Sequence, residues 1–383
     1  MSRGSLIYAP VYGTGLGHSY RTAAILRAIS SKGHRVVASS WGEGLRYLRS
    51  SEIPCVEVPE LDVMWGEEGK MRFRDTLRNM AAPFARFLHQ LEVEGTLIDH
   101  MSPTAVLADS RATPLLAAKR RGLRSALIIN QARLMAPRTL GPLRQAIEVP
   151  PAQILGLLWS SADLVIVPDL PPPYTIAREQ LSAIPQIRGK LKFVGLPIEE
   201  CGSAEPGWRP PRRPFALFTI SGPEETKRPM LLKSVAAARI LAHRGWSVLI
   251  SAARVGSSSN PRAVDEGVYI CEWCDCIDQY MRSADVIVTR AGHTTIGRAL
   301  YYGRPSVLIP IPFHGEQESN ALSALRMGVA RAIPRLDLVS ASDLADEVEA
   351  ATSIDHGRLE RVAAVARSMN FAELSAAALE EIL

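Results

Sequence analysis

The chain predicts an α/β fold of two doubly wound, Rossmann-like domains facing each other across a cleft. Three observations carry the prediction. Short Val-, Ile- and Ala-rich runs alternate with helical patterns, as strands covered on both faces should. That alternation occurs twice, interrupted by GLPIEECGSAEPGWRPPRRP from Gly195 to Pro214, where Pro and Gly cluster without an apolar period. Finally, 383 residues exceed one ordinary core and suit two domains of roughly 150–200 residues each.

In order along the first half, strands are expected at 6–12, 35–40, 56–58, 105–109, 126–130 and 164–168, and a last one at 192–194 closes it. Helical patterns separate them, including 19–31 and 111–121. In the second half strands are expected at 215–220, 248–252, 268–270, 286–289, 306–309 and 330–333, and the chain ends in helical sequence at 359–369 and 372–382. The expected boundaries are an N-terminal Rossmann-like domain over 1–195, a linker over 196–214 and a C-terminal Rossmann-like domain over 215–370. Residues 371–383 are expected to pack back toward the N-terminal domain.

Composition excludes several classes. An apolar fraction of 47% with 22% charged residues is that of a soluble globular protein. The net charge of +5 is small for the length, and aromatic–basic interleaving is confined to one helix, so nucleic-acid binding has little support. No run reaches the ~18–20 continuous apolar residues of a membrane span. The first strand follows directly on Met1-Ser2-Arg3, so no signal peptide is expected and the expected location is cytoplasmic. Three of five cysteines lie in Cys271-Glu272-Trp273-Cys274-Asp275-Cys276. No second Cys or His pair completes a zinc set, so no metal site is expected.

The chemistry gathers at strand ends. Strand one runs into Gly13-Thr14-Gly15-Leu16-Gly17-His18, where glycines allow a tight turn and close approach of a bound molecule. The spacing is not G-x-G-x-x-G, and Ser39-Ser40-Trp41 stands where a ribose-binding acid would close strand two, so a nicotinamide cofactor is disfavoured. Asp109, at the end of another strand of the same half, should emerge at the same sheet edge as His18. An aspartate accepting one ring N–H would fix the tautomer and make the other nitrogen a base; the competing reading is a histidine that merely packs at a helix start. In the second half, Arg290-Ala291-Gly292-His293-Thr294-Thr295 and His314-Gly315-Glu316-Gln317-Glu318-Ser319-Asn320 are successive strand-to-helix junctions. Open α/β sheets bind ligands at that edge, and the amide-rich start of a helix favours an anion. The pair reads as a nucleotide-diphosphate site.

Together these motifs resemble the nucleotide-sugar glycosyltransferases of the GT-B fold, in particular the family 28 branch that includes the bacterial peptidoglycan N-acetylglucosaminyltransferase and archaeal relatives. Ala284-Asp285 through Gly292 is similar to the family's AD-strand-R/S-x-G segment, with Thr294 and Thr295 at the hydroxyl positions that meet the donor diphosphate. Glu316-Gln317 with Asn320-Ala321 resembles the [D/E]-Q-x-x-N-A element at the donor sugar. Ser221-Gly222 matches the first donor-domain loop, Gly195-Leu196-Pro197 the end of the acceptor domain, and Gly15-Leu16-Gly17-His18 the G-x-G-H loop. The resemblance implies His18 as base with Asp109 behind it, Gly13, Gly15 and Gly17 as acceptor loop, and a donor site of Gly195, Ser221, Gly222, Arg290, Gly292, His293, Thr294, Thr295, Arg298, Glu316, Gln317 and Asn320. Two positions depart from the pattern: Arg298 stands where relatives carry a ribose-binding glutamate, and Glu199 where the peptidoglycan enzyme has an arginine.

What the resemblance implies is an inverting transfer of a hexose or N-acetylhexosamine, GlcNAc first, from a UDP-sugar to an acceptor hydroxyl. No Asp-x-Asp motif supports a bridging metal, so no cofactor beyond the UDP-sugar substrate is expected. The alternatives are a UDP-sugar 2-epimerase of the same fold and a non-catalytic nucleotide-sugar-binding subunit. From Lys70 to Leu91, apolar Phe73, Leu77, Met80, Phe84, Phe87 and Leu91 fall at helical period among Lys70, Arg72, Arg74, Arg78 and Arg86. A basic amphipathic helix of this kind can lie on an anionic membrane, which would suit a lipid-linked acceptor at the inner membrane face. Met135, Leu140, Leu143, Arg133, Arg138 and Arg144 are expected to extend that patch; a helix packed on its own domain is the competing reading.

Overall fold

The computed structural model describes residues 4–61, 81–182, 184–199, 208–222, 224–252, 260–274 and 277–383. Strands β1 (Leu6–Pro10), β2 (Arg35–Ser40), β3 (Cys55–Glu57), β4 (Ala105–Asp109), β5 (Arg124–Ile128), β6 (Leu164–Val167) and β7 (Leu191–Phe193) form one sheet. Its order is β3-β2-β1-β4-β5-β6-β7, with every neighbouring pair parallel. β1 and β4 are buried along nearly their whole length, which is why their sequences run apolar instead of alternating.

The second sheet comprises β8 (Phe215–Thr219), β9 (Ser247–Ser251), β10 (Arg262–Asp265), β11 (Val268–Cys271), β12 (Val286–Thr289), β13 (Ser306–Leu308) and β14 (Ala330–Ala332). Its order is β10-β11-β9-β8-β12-β13-β14, parallel except for the β10–β11 hairpin at one edge. β10 is the strand that the sequence reading misses. Its residues Arg262, Ala263 and Asp265 are exposed, so no apolar signal marks it. In both sheets the strand order reverses beside the first strand, β1 or β8, and a crevice opens there at the carboxyl ends.

The two lobes are joined by more than the linker. Residues Leu170, Ile176 and Leu196 of the first half pack with Ala291, Ile296 and Leu300 of the second in one buried cluster. The chain crosses back after the helix His356–Ser368, and the helix Phe371–Glu380 buries Phe371, Ala376 and Leu379 with Ile25 and Ile29. Gly195 (φ +87°) lies at the outward crossing, where an added Cβ would come within 2.7 Å of Met369 Cβ at the return crossing. No helix among the described residues is long and apolar enough to cross a membrane.

Candidate active site

The carboxyl edges of the two sheets face each other. Asp169, just beyond β6, lies 3.1 Å from the Nε2 of His293, just beyond β12. Met135 and Ala136, beyond β5, lie against Gly315, beyond β13. His18 and Asp109 follow β1 and β4 on the first edge, while Ser221-Gly222 and Gly292–Thr295 follow β8 and β12 on the second. All of them therefore lie at the carboxyl edges of the two sheets.

On the N-terminal side the helix Leu16–Ser31 begins in the glycine loop and places His18, Arg21 and Thr22 on one face. All three converge on Asp109, which is fully buried. His18 Nδ1 is 2.8 Å from Asp109 Oδ1, Arg21 Nε donates to Oδ2 at 2.7 Å, and Thr22 Oγ1 donates to Oδ2 at 2.9 Å. Burial alone would raise the Asp109 pKa, but Arg21 and His18 outweigh it and hold the carboxyl well below the usual carboxylate range. With Asp109 ionised, an unprotonated Nδ1 would set two lone pairs against each other at 2.8 Å. A proton on Nδ1 makes that contact a hydrogen bond, and in that tautomer Nε2 is the accepting nitrogen. Arg21 was not foreseen, although it stands one helical turn from His18 and also reaches Asn130 at 3.2 Å. Tyr12 packs edge-on to both His18 and Trp41, with ring centroids 5.2 Å apart in each case.

The glycines divide by role. A Cβ on Gly13 would strike the Trp41 carbonyl at 2.4 Å, so Gly13 is a packing requirement. Around Gly15, with φ +79°, and Gly17 there is open space, as a loop that admits a ligand would need. Gly222 has φ +110° and sits against Thr226 and Ile311, which makes glycine the fitting residue there.

On the C-terminal side Gly292 precedes the helix His293–Tyr301 with φ −72°, and a Cβ built on it meets nothing within 4 Å. Thr294 is exposed and Thr295 half-buried beside it. Glu316 and Gln317 lie in the first turn of the helix Gly315–Met327. Gln317 Oε1 accepts the Ile311 N–H at 2.9 Å, which orients its amide.

Several residues of the expected donor set have other occupations. Arg290 is buried and its guanidinium donates to the Ile309, Pro310 and Thr226 carbonyls, so it ties its own loop to the segment after β13 and to the helix Glu224–His243. Burial pushes its pKa down to about 10. The His293 imidazole turns toward Asp169 of the other lobe. Asn320 is buried between Gln180, which donates to its Oδ1 at 2.7 Å, and the Ala291 carbonyl. Arg298 lies 3.4 Å from the buried carboxylate of Asp278. Gly195 belongs to the crossing between lobes.

Of the expected membrane helix over 70–91, residues 70–80 lie outside the described residues. The described helix Ala81–Met101 exposes Phe84 and Leu88 and buries Leu91 and Ile98 against the sheet. Leu140 and Leu143 are exposed, whereas Met135 is buried. Of the arginines expected to extend the patch, Arg133 and Arg144 pair with Glu148, and Arg138 pairs with Glu179.

Two family descriptions match the chain: "Glycosyl transferase family 1" over residues 5–144 and "Glycosyltransferase family 28 C-terminal domain" over 253–375. The protein is a glycosyltransferase similar to the family 28 branch. An uncharacterized glycosyltransferase of Methanosarcina mazei is 27% identical over 319 residues, 81% of each chain. A UDP-N-acetylglucosamine–N-acetylmuramyl-(pentapeptide) pyrophosphoryl-undecaprenol N-acetylglucosamine transferase of Thiobacillus denitrificans is 25% identical over 91% of this chain and 89% of its own. Among solved structures, the calicheamicin glycosyltransferase CalG4 aligns with TM-score 0.73 at 17% identity, over 100% of this chain and 98% of that one. The glycosyltransferase therefore has the GT-B arrangement of two α/β lobes, with its candidate residues on the facing edges.

Proposed function

We propose that this glycosyltransferase moves an N-acetylhexosamine or hexose, GlcNAc first, from a UDP-sugar to the hydroxyl of a lipid-linked saccharide or lipid, with inversion at the anomeric carbon. The observation that supports this most is the His18–Asp109 pair on the edge opposite the Gly292 helix start. The Thiobacillus relative, whose name carries UDP-N-acetylglucosamine and an undecaprenol-linked acceptor, supports the choice of donor and acceptor.

In this reading the diphosphate rests on the Ser221-Gly222 loop and the amides from Gly292 to Thr295, whose partial positive charge offsets the negative charge of the departing nucleoside diphosphate. Glu316 and Gln317 hold sugar hydroxyls. His18 Nε2 takes the acceptor proton as the acceptor oxygen bonds to the anomeric carbon. The bond to the diphosphate oxygen breaks on the opposite face, and its electron pair leaves with the nucleotide. Asp109 stabilises the imidazolium that forms.

A thermal-shift panel of UDP-GlcNAc, UDP-glucose, UDP-galactose, GDP-mannose and the free nucleotides tests the donor. The preferred one should raise the melting temperature most, by about 2.7 kcal/mol of stability at a hundredfold excess over its dissociation constant. No response to any uridine nucleotide would remove the donor assignment. Gly292→Val separates structure from binding. Open space surrounds that position at an ordinary φ, so the unliganded melting temperature should stay close to wild type while the UDP-GlcNAc shift disappears. A retained shift would place the diphosphate elsewhere.

A peripheral position on the inner membrane face belongs to the same proposal and rests on exposed Phe84, Leu88, Leu140 and Leu143. Flotation with liposomes should show binding that Phe84→Ser/Leu143→Ser abolishes. Equal recovery of variant and wild type in the floated fraction would count against it.

A further inference from the structure

We infer that Glu179 is a positioning residue, clamping the first turn of the helix Gly315–Met327 against the N-terminal lobe so that Glu316 and Gln317 meet the donor sugar in the closed enzyme. The inference rests on the donor site proposed above and adds a residue outside it. Asp169 accepts the backbone N–H groups of Leu170, Ile176 and Ala177, which fixes the approach to the helix Arg178–Ser182. From that helix Glu179 reaches across the cleft. Its Oε2 accepts from Ser319 Oγ at 3.0 Å and from Arg138 at 2.5 Å, with Arg144 at 3.4 Å, and its Oε1 lies 3.4 Å from Arg326.

A second N-terminal segment grips the same turn. The Arg138 N–H donates to Glu318 Oε2 at 2.7 Å. Gly315 sits so close to the Met135 and Ala136 carbonyls that a Cβ would lie 2.4 and 2.5 Å from their oxygens. Residues 315, 318, 319 and 320 are thus all held by the other lobe, and they flank 316 and 317 on both sides. Arg138 joins the two grips, since its backbone holds Glu318 and its side chain holds Glu179. Isolated exposed ion pairs contribute little, but this carboxylate is only 19% exposed and accepts from both lobes at once. Loosening it lets the sugar-contacting turn drift, and a displacement near 1 Å in such a site can cost about 10²-fold in rate.

Two variants break the clamp by different physics. Glu179→Ala removes the shared acceptor. Gly315→Ala leaves every charge in place and suits a helix within its own lobe, but its methyl group forces the lobes apart. Both should speed amide hydrogen exchange over residues 315–321 in the unliganded full-length protein. Both should lower kcat roughly 10–10²-fold, raise the share of UDP-GlcNAc lost to water, and leave UDP affinity unchanged because UDP lacks the sugar. Glu179→Gln, which can still accept from Ser319, should fall between. Wild-type exchange in both variants, or faster exchange with wild-type kcat, would overturn the inference. Exchange is read without substrate, so the clamp can stand or fall separately from the donor assignment.

Discussion

His18→Ala is expected to lower transfer at saturating donor by about 10²–10⁴-fold, the contribution of a positioned general base, with UDP-sugar affinity intact. The expectation follows from geometry. Asp109 holds Nδ1 at 2.8 Å, the side chain keeps 27% of its surface exposed, and Nε2 is left to accept a proton at the crevice. Steady-state turnover with a saccharide acceptor and calorimetric donor binding measure the two quantities separately. A variant as fast as wild type would mean that another group takes the acceptor proton. His18→Gln is a useful companion, because it preserves bulk and hydrogen bonding without a basic nitrogen and should be as slow as alanine.

Asp109 should show the largest combined effect. Asp109→Ala leaves the Arg21 guanidinium buried without its carboxylate, beside Asn130 at 3.2 Å, Ser110 at 3.3 Å and His18 Nδ1 at 3.1 Å. Removing one partner of such a pair costs about 3–5 kcal/mol, or roughly 6–20 °C in the melting temperature of a domain this size. Asp109→Asn should cost less stability but nearly as much activity. Its amide cannot reproduce a carboxylate that accepts from His18, Arg21 and Thr22 together, so the tautomer with its proton on Nδ1 is no longer fixed.

The same carboxylate sets an acid limit. Because its folded pKa lies below the unfolded value of about 3.9, its stabilisation is fully present above that value and is lost as pH falls through the folded pKa. The stability gap between wild type and Asp109→Asn should therefore be constant above about pH 5 and narrow on acidification below about pH 4. Scanning calorimetry across that range reads it. A gap that widens toward acid would reverse the assigned direction of the shift.

How far the sequence carries is best seen residue by residue. β2, β4 and β12 fall where apolar runs bounded by turn residues place them, because two-sided burial imposes a local pattern. β10 escapes because an exposed edge strand needs no such pattern. Asp109 is legible because it ends a strand, and His18 because it follows the glycine loop that leaves one. Arg21 sits on the face that His18 defines, but a helix offers many arginines and only the fold shows which one meets a buried acid. Glu179 carries no motif at all: its partners Arg138 and Ser319 lie 41 and 140 positions away.

Alone, the sequence determined the two-lobed α/β plan, the strand ends that carry chemistry and the kinship with nucleotide-sugar transferases. Burial periodicity and glycine turns are written in adjacent residues. Only the tertiary structure decided which polar groups are open to a ligand and which are already engaged. Arg290, His293 and Asn320 share a neighbourhood with Gly292 and Glu316, yet the first binds carbonyls, the second turns to Asp169 and the third joins Gln180. A buried polar group must find a partner, and which one it finds depends on the packing of distant segments.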